Sequence, residues 1–415
     1  MRRVTVALAA VIALSTFAGC GEEPPPVVPT PPPVVTAPPL MVEPAPTPAP
    51  APKPSLAEMQ KMGLGTALQG LNGHDPKMFA SVYADDAVIS VAGLNEVNGR
   101  EAIAQNMAEW FDVFSKAKLG FSRVWVKGDT MVLEWVINGT HHGELFGVKG
   151  TEQPIGHYGL SVVQFNADGK VIRENRYGEL GSVMTQLNAG AAGTKAKARP
   201  IPDVPASPDT ILARGDEDKN VEIAKAALTA LENKKEEAFT AVLTDDVEQD
   251  GVFHLETSKG KEGAKKFYKS FTTAFPDAKF EVTKAVAVGD YAIVESTLKA
   301  TQKGALGTIA ATKRPIAVHL VDIFKIKDGK VARAWTYQNS LEMQQQLGLF
   351  SVTAGSVPAS QATPPAAVPA RPAATATPTT PAGGSGGGTG GGNGKDSGGG
   401  GGKGTGGGTG GGTKK

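Results

Sequence analysis

Residues 168–171 read Asp-Gly-Lys-Val, and residues 328–331 read Asp-Gly-Lys-Val again. Outward from this pair, Tyr177 and Gln186-Leu187 match Tyr337 and Gln346-Leu347, and Asp85-Asp86 matches Asp245-Asp246, all at an offset of 160. Between them, at 161, Gly99 matches Gly260, Phe114 matches Phe275, Gly128-Asp129 matches Gly289-Asp290 and Glu134 matches Glu295. Gly143 and Pro154-Ile155 match Gly304 and Pro315-Ile316 at that same offset. Ordered matches over about 100 residues, with a one-residue deletion in a turn, indicate a duplicated domain. The copies are placed at 55–190 and 217–350. The stretch 191–216, with Pro200, Pro202, Pro205 and Pro208, reads as the linker.

Each copy reads as helices followed by strands. Ser55-Leu56-Ala57-Glu58 is a capping box, and Leu56, Met59, Leu64, Leu68 and Leu71 recur at roughly helical spacing. Asp75-Pro76 opens a short second helix, and a third follows Asn98-Gly99 with Ile103, Met107, Trp110 and Phe114 on one side. Strands are expected at Leu119–Val126, Met131–Ile137, Gly156–Phe165 and, after an Asp168-Gly169 hairpin turn, Val171–Glu179. The second copy repeats the order, with helices near 219–232, 235–243 and 261–275 and strands from Lys279 to Tyr337. The pattern is α+β: three helices packed on one face of a curved antiparallel sheet, leaving a cone-shaped cavity for a ligand. Asp85-Asp86 and Asp245-Asp246 read as turn and cap residues, and Trp110, Trp125 and Trp135 as core.

Composition confines folding to this middle. Of 30 prolines, 15 lie between Pro24 and Pro54 and seven between Pro358 and Pro381, while 21 of 52 glycines sit in the last 35 residues. Such segments cannot bury a core, which excludes one fold spanning all 415 residues. A net charge of +1 argues against a nucleic-acid binder. A single cysteine excludes a disulfide framework and a cysteine-rich metal site. That cysteine, in Phe17-Ala18-Gly19-Cys20, follows Arg2-Arg3 and the short apolar run Val4–Leu14. The segment resembles a bacterial lipoprotein signal. We therefore expect residues 1–19 to be a signal peptide and Cys20 to carry lipid and attach the chain to the membrane. Residues 20–54 would form a stiff Pro-rich stalk, and 351–415 a disordered Ala/Pro and then Gly-rich tail. Gly21, where an inner-membrane retention signal would place aspartate, favours the outer membrane or cell surface.

The second copy reads Phe275-Pro276-Asp277-Ala278, Gly304-Ala305-Leu306-Gly307, Asp328-Gly329-Lys330-Val331, Trp335 and Gln346-Leu347-Gly348. The first offers Gly139-Thr140-His141-His142-Gly143-Glu144-Leu145, Asp168-Gly169-Lys170 and Gln186-Leu187. Both resemble SnoaL-like ester cyclases of the nuclear transport factor 2-like superfamily. The resemblance implies cone-shaped domains that commonly pair through their sheets, so that the two copies could pair as a pseudo-dimer within one chain. It also implies aldol ring closure without metal or cofactor, driven by a carboxylate base. The family's aspartate at the end of the last strand falls on Glu179 and Asn339. Its polar residue after the Asp-Asp segment falls near Ser90 and Asp250. Each copy thus keeps an acid at one place only, Glu179 in the first and Asp250 in the second.

Strand alternation places Asn175, Tyr177 and Glu179 on one face, and Trp335, Tyr337 and Asn339 on its counterpart. If that face lines the cavity, Glu179 is a candidate base and Asn175, Tyr177, Trp335, Tyr337 and Asn339 are candidate ligand contacts; the resemblance adds Asp250 as a second candidate acid and Ser90 and His142 as further contacts. Neighbouring His141 and His142 point to opposite faces, which opposes a metal site; the family's Thr-His segment accounts for one of them. His157 and His319 read as wall or surface residues. With both acid sets incomplete, the expected role is binding of a small apolar or aromatic molecule. Cofactor-free cyclase or isomerase chemistry in the first domain, and a non-catalytic surface interaction protein, are the alternatives.

Overall fold

The computed structural model describes residues 53–190, 200–251 and 257–350. The signal peptide, Cys20, the proline segment up to Pro52 and the C-terminal tail lie outside the described residues. Among the described residues, no helix is long and apolar enough to cross a membrane.

In the first domain Ser55 caps α1 (Leu56–Gly73), and Glu58 accepts in return from the Ser55 amide at 2.7 Å. Asp75 caps α2 (Pro76–Ala80), accepting from the Met78 amide at 2.8 Å. There follow β1 (Tyr83–Val91), β2 (Val97–Asn98), α3 (Arg100–Val113) and the long strands β3 (Phe114–Lys127), β4 (Thr130–His141), β5 (Pro154–Phe165) and β6 (Val171–Gly178). A short helix, α4 (Leu180–Gln186), ends the domain, and β7 (Asp209–Leu212) lies in the linker. The second domain runs α5 (Lys219–Glu232), α6 (Glu236–Ala241), β8 (Leu243–Gly251), β9 (Ser258–Lys259), α7 (Gly260–Ala274), β10 (Lys279–Val288), β11 (Tyr291–Thr301), β12 (Pro315–Lys327), β13 (Lys330–Gln338) and α8 (Ser340–Gln346). Two tandem α+β domains, each with its helices on one sheet, are thus present as the repeat implies.

The sheet orders are β2-β1-β6-β5-β4-β3-β7 and β10-β11-β12-β13-β8-β9. Each sheet is more than a meander, because β1 and β8 run parallel to the last strand of their domain. Asp85-Asp86 and Asp245-Asp246 therefore lie within strands, where the ladder shifts register, and not in turns or caps. From there Asp85 pairs with Arg100 and Asp245 with Lys261 at 2.7 Å, tying each strand to its third helix. The exposed acids interrupt the alternation that would have announced β1 and β8.

The repeated Asp-Gly-Lys-Val also explains the change of offset. In the second domain, Asp328 and Gly329 both take positive φ (51° and 72°), making a two-residue hairpin turn between the Lys327–Lys330 pair. The first domain carries one residue more. There Asn166 accepts from the Asp168 and Lys170 amides at 3.0 and 2.9 Å, and Gly169 alone supplies the positive φ (70°).

The outer faces of the two sheets pack on each other. Trp125, Val132, Leu160 and Val162 from the first meet Ile293, Val321 and Ile323 from the second. Cross-links are reciprocal: Tyr177 donates to Glu295 at 2.5 Å, and its repeat mate Tyr337 donates to Glu134, the repeat mate of Glu295. This is the self-complementary geometry of a two-fold interface, built here from one chain. Strand β7 extends the first sheet alongside β3, and Ile211 on it joins the same cluster.

Candidate functional site

The first domain encloses a cavity of about 170 Å³ between α1, α3 and the inner face of its sheet. Its wall is apolar, with Leu64, Met107, Trp110, Phe111, Phe121 and Leu133 among its residues. Two glycines shape it. A side chain at Gly159 would run into the Trp135 indole, and a Cβ at Gly178 would stand 3.1 Å from His157 Cε1. The missing side chains let both rings lie against the sheet.

One polar cluster is set into this wall. Glu174 on β6 is 6% exposed, yet its carboxylate is fully engaged. It accepts from the Tyr83 hydroxyl, from Ser161 at 2.7 Å, and from Arg176 at 2.6 and 3.0 Å. Trp135 extends the chain by donating to Ser161 at 3.0 Å. Burial pushes the Glu174 carboxyl up, but the Arg176 guanidinium and these donors outweigh it and hold the group below the usual carboxylate range. Glu174 and Arg176 cancel in charge, so the cluster fixes the wall without offering an ionised group.

His157 on β5 is 6% exposed and also lines the cavity. Its ring meets Trp135 edge-on at 5.4 Å and Phe114 at 6.3 Å. Nδ1 lies 3.1 Å from the Tyr158 carbonyl, which can only accept. The proton is therefore on Nδ1 and Nε2 keeps a lone pair. Burial pushes the His157 pKa down to about 4, so the ring is neutral near pH 7.

The second cone is furnished differently. At the repeat positions of Tyr83, Trp135, His157, Glu174 and Arg176 stand Leu243, Ser296, Val318, Ala334 and Thr336, and Gly159 and Gly178 become Leu320 and Gln338. Phe271 stacks on Phe280 at 5.9 Å and on Phe267 at 5.9 Å, filling space between α7 and β10. Asp322, at the Ser161 position, accepts from Thr336 at 2.6 Å. Burial pushes its pKa up to about 6.

The residues singled out from sequence lie elsewhere, because the cavity takes the other face of the last strand. Asn175, Tyr177, Trp335 and Tyr337 face the other domain, and Glu174 and Arg176, each one position away, face the cone. Glu179 caps α4, accepting from the Ser182 amide at 3.1 Å, and reaches across the seam to the hydroxyl and amide of Ser340. Asn339 caps α8 and donates to the Ala92 carbonyl at 2.9 Å. The position of the family's aspartate is thus a helix cap and a domain clasp in both copies. It is not part of the cavity wall.

Asp250 is held by Thr257 and by Arg333 at 2.7 Å. Trp335 lies under the Arg123 guanidinium, 4.0 Å from the ring centre. Asn175 donates to Glu295 at 2.6 Å, and Ser90, Asn175 and Tyr177 border a crevice of about 470 Å³ along the seam. His142 is exposed and pairs with Glu152 at 2.6 Å. His141 is buried against Thr151 at 3.1 Å, and His319 pairs with Glu342 at 2.7 Å. Among the described residues, no group of three or more His, Cys, Asp or Glu side chains is placed to hold a metal ion.

The family model described as SnoaL-like polyketide cyclase matches residues 64–187 and 221–347. No curated protein sequence matches the chain. Among solved structures, TsrD from Streptomyces laurentii is 24% identical over 32% of this chain and 98% of its own, with a TM-score of 0.30. IdmH from Streptomyces antibioticus is 19% identical over 31% and 96%, at 0.28. An LEH-like epoxide hydrolase from M. tuberculosis is 16% identical over 32% and 91%, at 0.27. The two segments of the family match cover more than half of the chain, one in each domain, and this protein belongs to the SnoaL-like polyketide cyclase family as a tandem pair.

Proposed function

We propose that this is an exported, lipid-anchored protein that binds one small apolar or aromatic molecule in the first domain, without turning it over. The observation that carries the reading is the contrast between the cones: an apolar cavity of about 170 Å³ in the first, and stacked phenylalanines in the second. That volume is close to the roughly 150 Å³ of apolar cavities that take up benzene. Binding is preferred to cyclase or isomerase chemistry because no carboxylate in the wall is disposed as a base. Glu174 is saturated by donors, and Glu179 is spent on a cap and a clasp. A histidine with a pKa near 4 is a poor proton acceptor at neutral pH.

The second domain serves as the permanent partner of the first in this reading, leaving the protein a monomer. A light-scattering mass near twice that of the chain would sink that part. The anchor rests on Cys20, the sole cysteine. Metabolic labelling with palmitate should mark the native protein and not Cys20→Ser. Native mass spectrometry of the full-length protein, extracted from its own host's membranes, tests binding. We expect one adduct per chain that is lost when Gly159→Leu copies the second domain; an adduct that persists in this variant places the ligand elsewhere.

A further inference from the structure

The character of the ligand's polar end follows from the cavity wall. Polar atoms of Tyr83, Trp135, Ser161, Glu174 and Arg176 are bonded to one another. That network carries one negative and one positive charge, so it presents no net charge to a guest. His157 is the exception: Nδ1 is committed to the Tyr158 carbonyl, and among the described residues no hydrogen bond engages Nε2. The ring lies between Trp135 and Phe114, beside the space left open at Gly178. A neutral imidazole in this tautomer offers an acceptor and nothing else.

We propose that the first domain selects an uncharged ring compound bearing one O–H or N–H donor, such as a phenol or an indole, and that His157 Nε2 is the atom that reads the donor. The inference rests on the cavity-binding reading above. A guest without a donor covers this acceptor and leaves it unpaired, and that unmet desolvation weakens binding. A carboxylate brings charge into an apolar space holding no free cation and, having no proton to give, faces a lone pair.

Titration of the full-length protein with phenol, toluene and benzoate tests this. In the native protein phenol and toluene should bind and benzoate should not. In His157→Phe the phenol-to-toluene affinity ratio should fall at least tenfold, toluene itself changing little. As Phe could disturb packing, imidazole ¹⁵N spectra of the native protein give a second readout. The unprotonated Nε2 resonance should shift on adding phenol and stay in place on adding toluene. An unchanged ratio together with a stationary Nε2 resonance would overturn the role of His157 while leaving cavity binding intact. Benzoate binding as tightly as phenol would overturn the demand for an uncharged guest. Failure of phenol and toluene alike to bind would overturn the cavity reading itself, and this inference with it.

Discussion

The two cones share a sheet geometry and differ in the side chains that line it. In the first, Gly159 and Gly178 withdraw from the sheet surface, aromatic rings settle into the gaps, and one carboxylate–guanidinium pair is bound into the wall. In the second, Leu320 and Gln338 occupy those positions, Ala334 and Thr336 replace the ion pair, and Phe267, Phe271 and Phe280 stack on one another. One sheet geometry therefore supports two different linings. A handful of inward positions decides which, and the outward face stays the same in kind.

The largest expected effect tests whether these are two complete solutions. Glu174→Ala leaves Arg176 buried without its partner, which should cost about 3–5 kcal/mol in urea unfolding. Adding Arg176→Thr, so that both positions carry the second domain's residues, should recover most of it. A double variant no better than the single one would mean that the pairs cannot be exchanged.

Next comes a difference in sign. Buried His157 has its pKa lowered from 6.5 to about 4, so the unfolded chain takes up the proton first and stability is lost as pH falls across that window. Asp322 has its pKa raised from 3.8 to about 6, so the folded state holds its proton longer and stability is lost as pH rises between those values. Each displacement corresponds to roughly 3 kcal/mol at most. Thermal unfolding between pH 4 and 7 should therefore show His157→Val flattening the acid-side loss and Asp322→Asn flattening the opposing one. Parallel profiles for the two variants would refute the assignment.

Smaller effects belong to what the domains share. Tyr177→Phe and Tyr337→Phe each remove a hydroxyl donor from a buried carboxylate and should cost about 1.5–3 kcal/mol by denaturant titration. The two costs should agree if the seam is truly reciprocal, and a wide disparity would show that it is not. Smallest of all, Asp85→Asn and Asp245→Asn should leave the melting temperature unchanged, because these side chains are 90% and 94% exposed and their ion pairs are screened.

Much of the fold was legible because the chain states it twice. The Ser55 capping box, the hairpin turns and the spacing of repeated glycines survive in sequence as local chemistry. Strands β1 and β8 were not legible, since Asp85-Asp86 and Asp245-Asp246 break the alternation that marks a strand. The site was harder to see. Alternation along β6 separates Glu174 and Arg176 from Asn175 and Tyr177, but nothing in the strand says which set looks inward. One signal was available: Tyr177 and Glu134 recur in the second copy as Tyr337 and Glu295, whereas Glu174, Arg176 and His157 do not recur. What the copies have in common turned out to be the seam, and what differs turned out to be the cones.

A seam made by matching residues from two halves of one chain also changes what substitution can do. In a symmetric assembly of identical subunits, every replacement appears twice, and a filled cone in one subunit is a filled cone in both. Joining the halves in one polypeptide ends that obligation. Tyr177 with Glu295, and Tyr337 with Glu134, keep the halves matched where they touch. Each interior is then inherited separately, so one half can keep a lined cavity while the other takes a lining of its own.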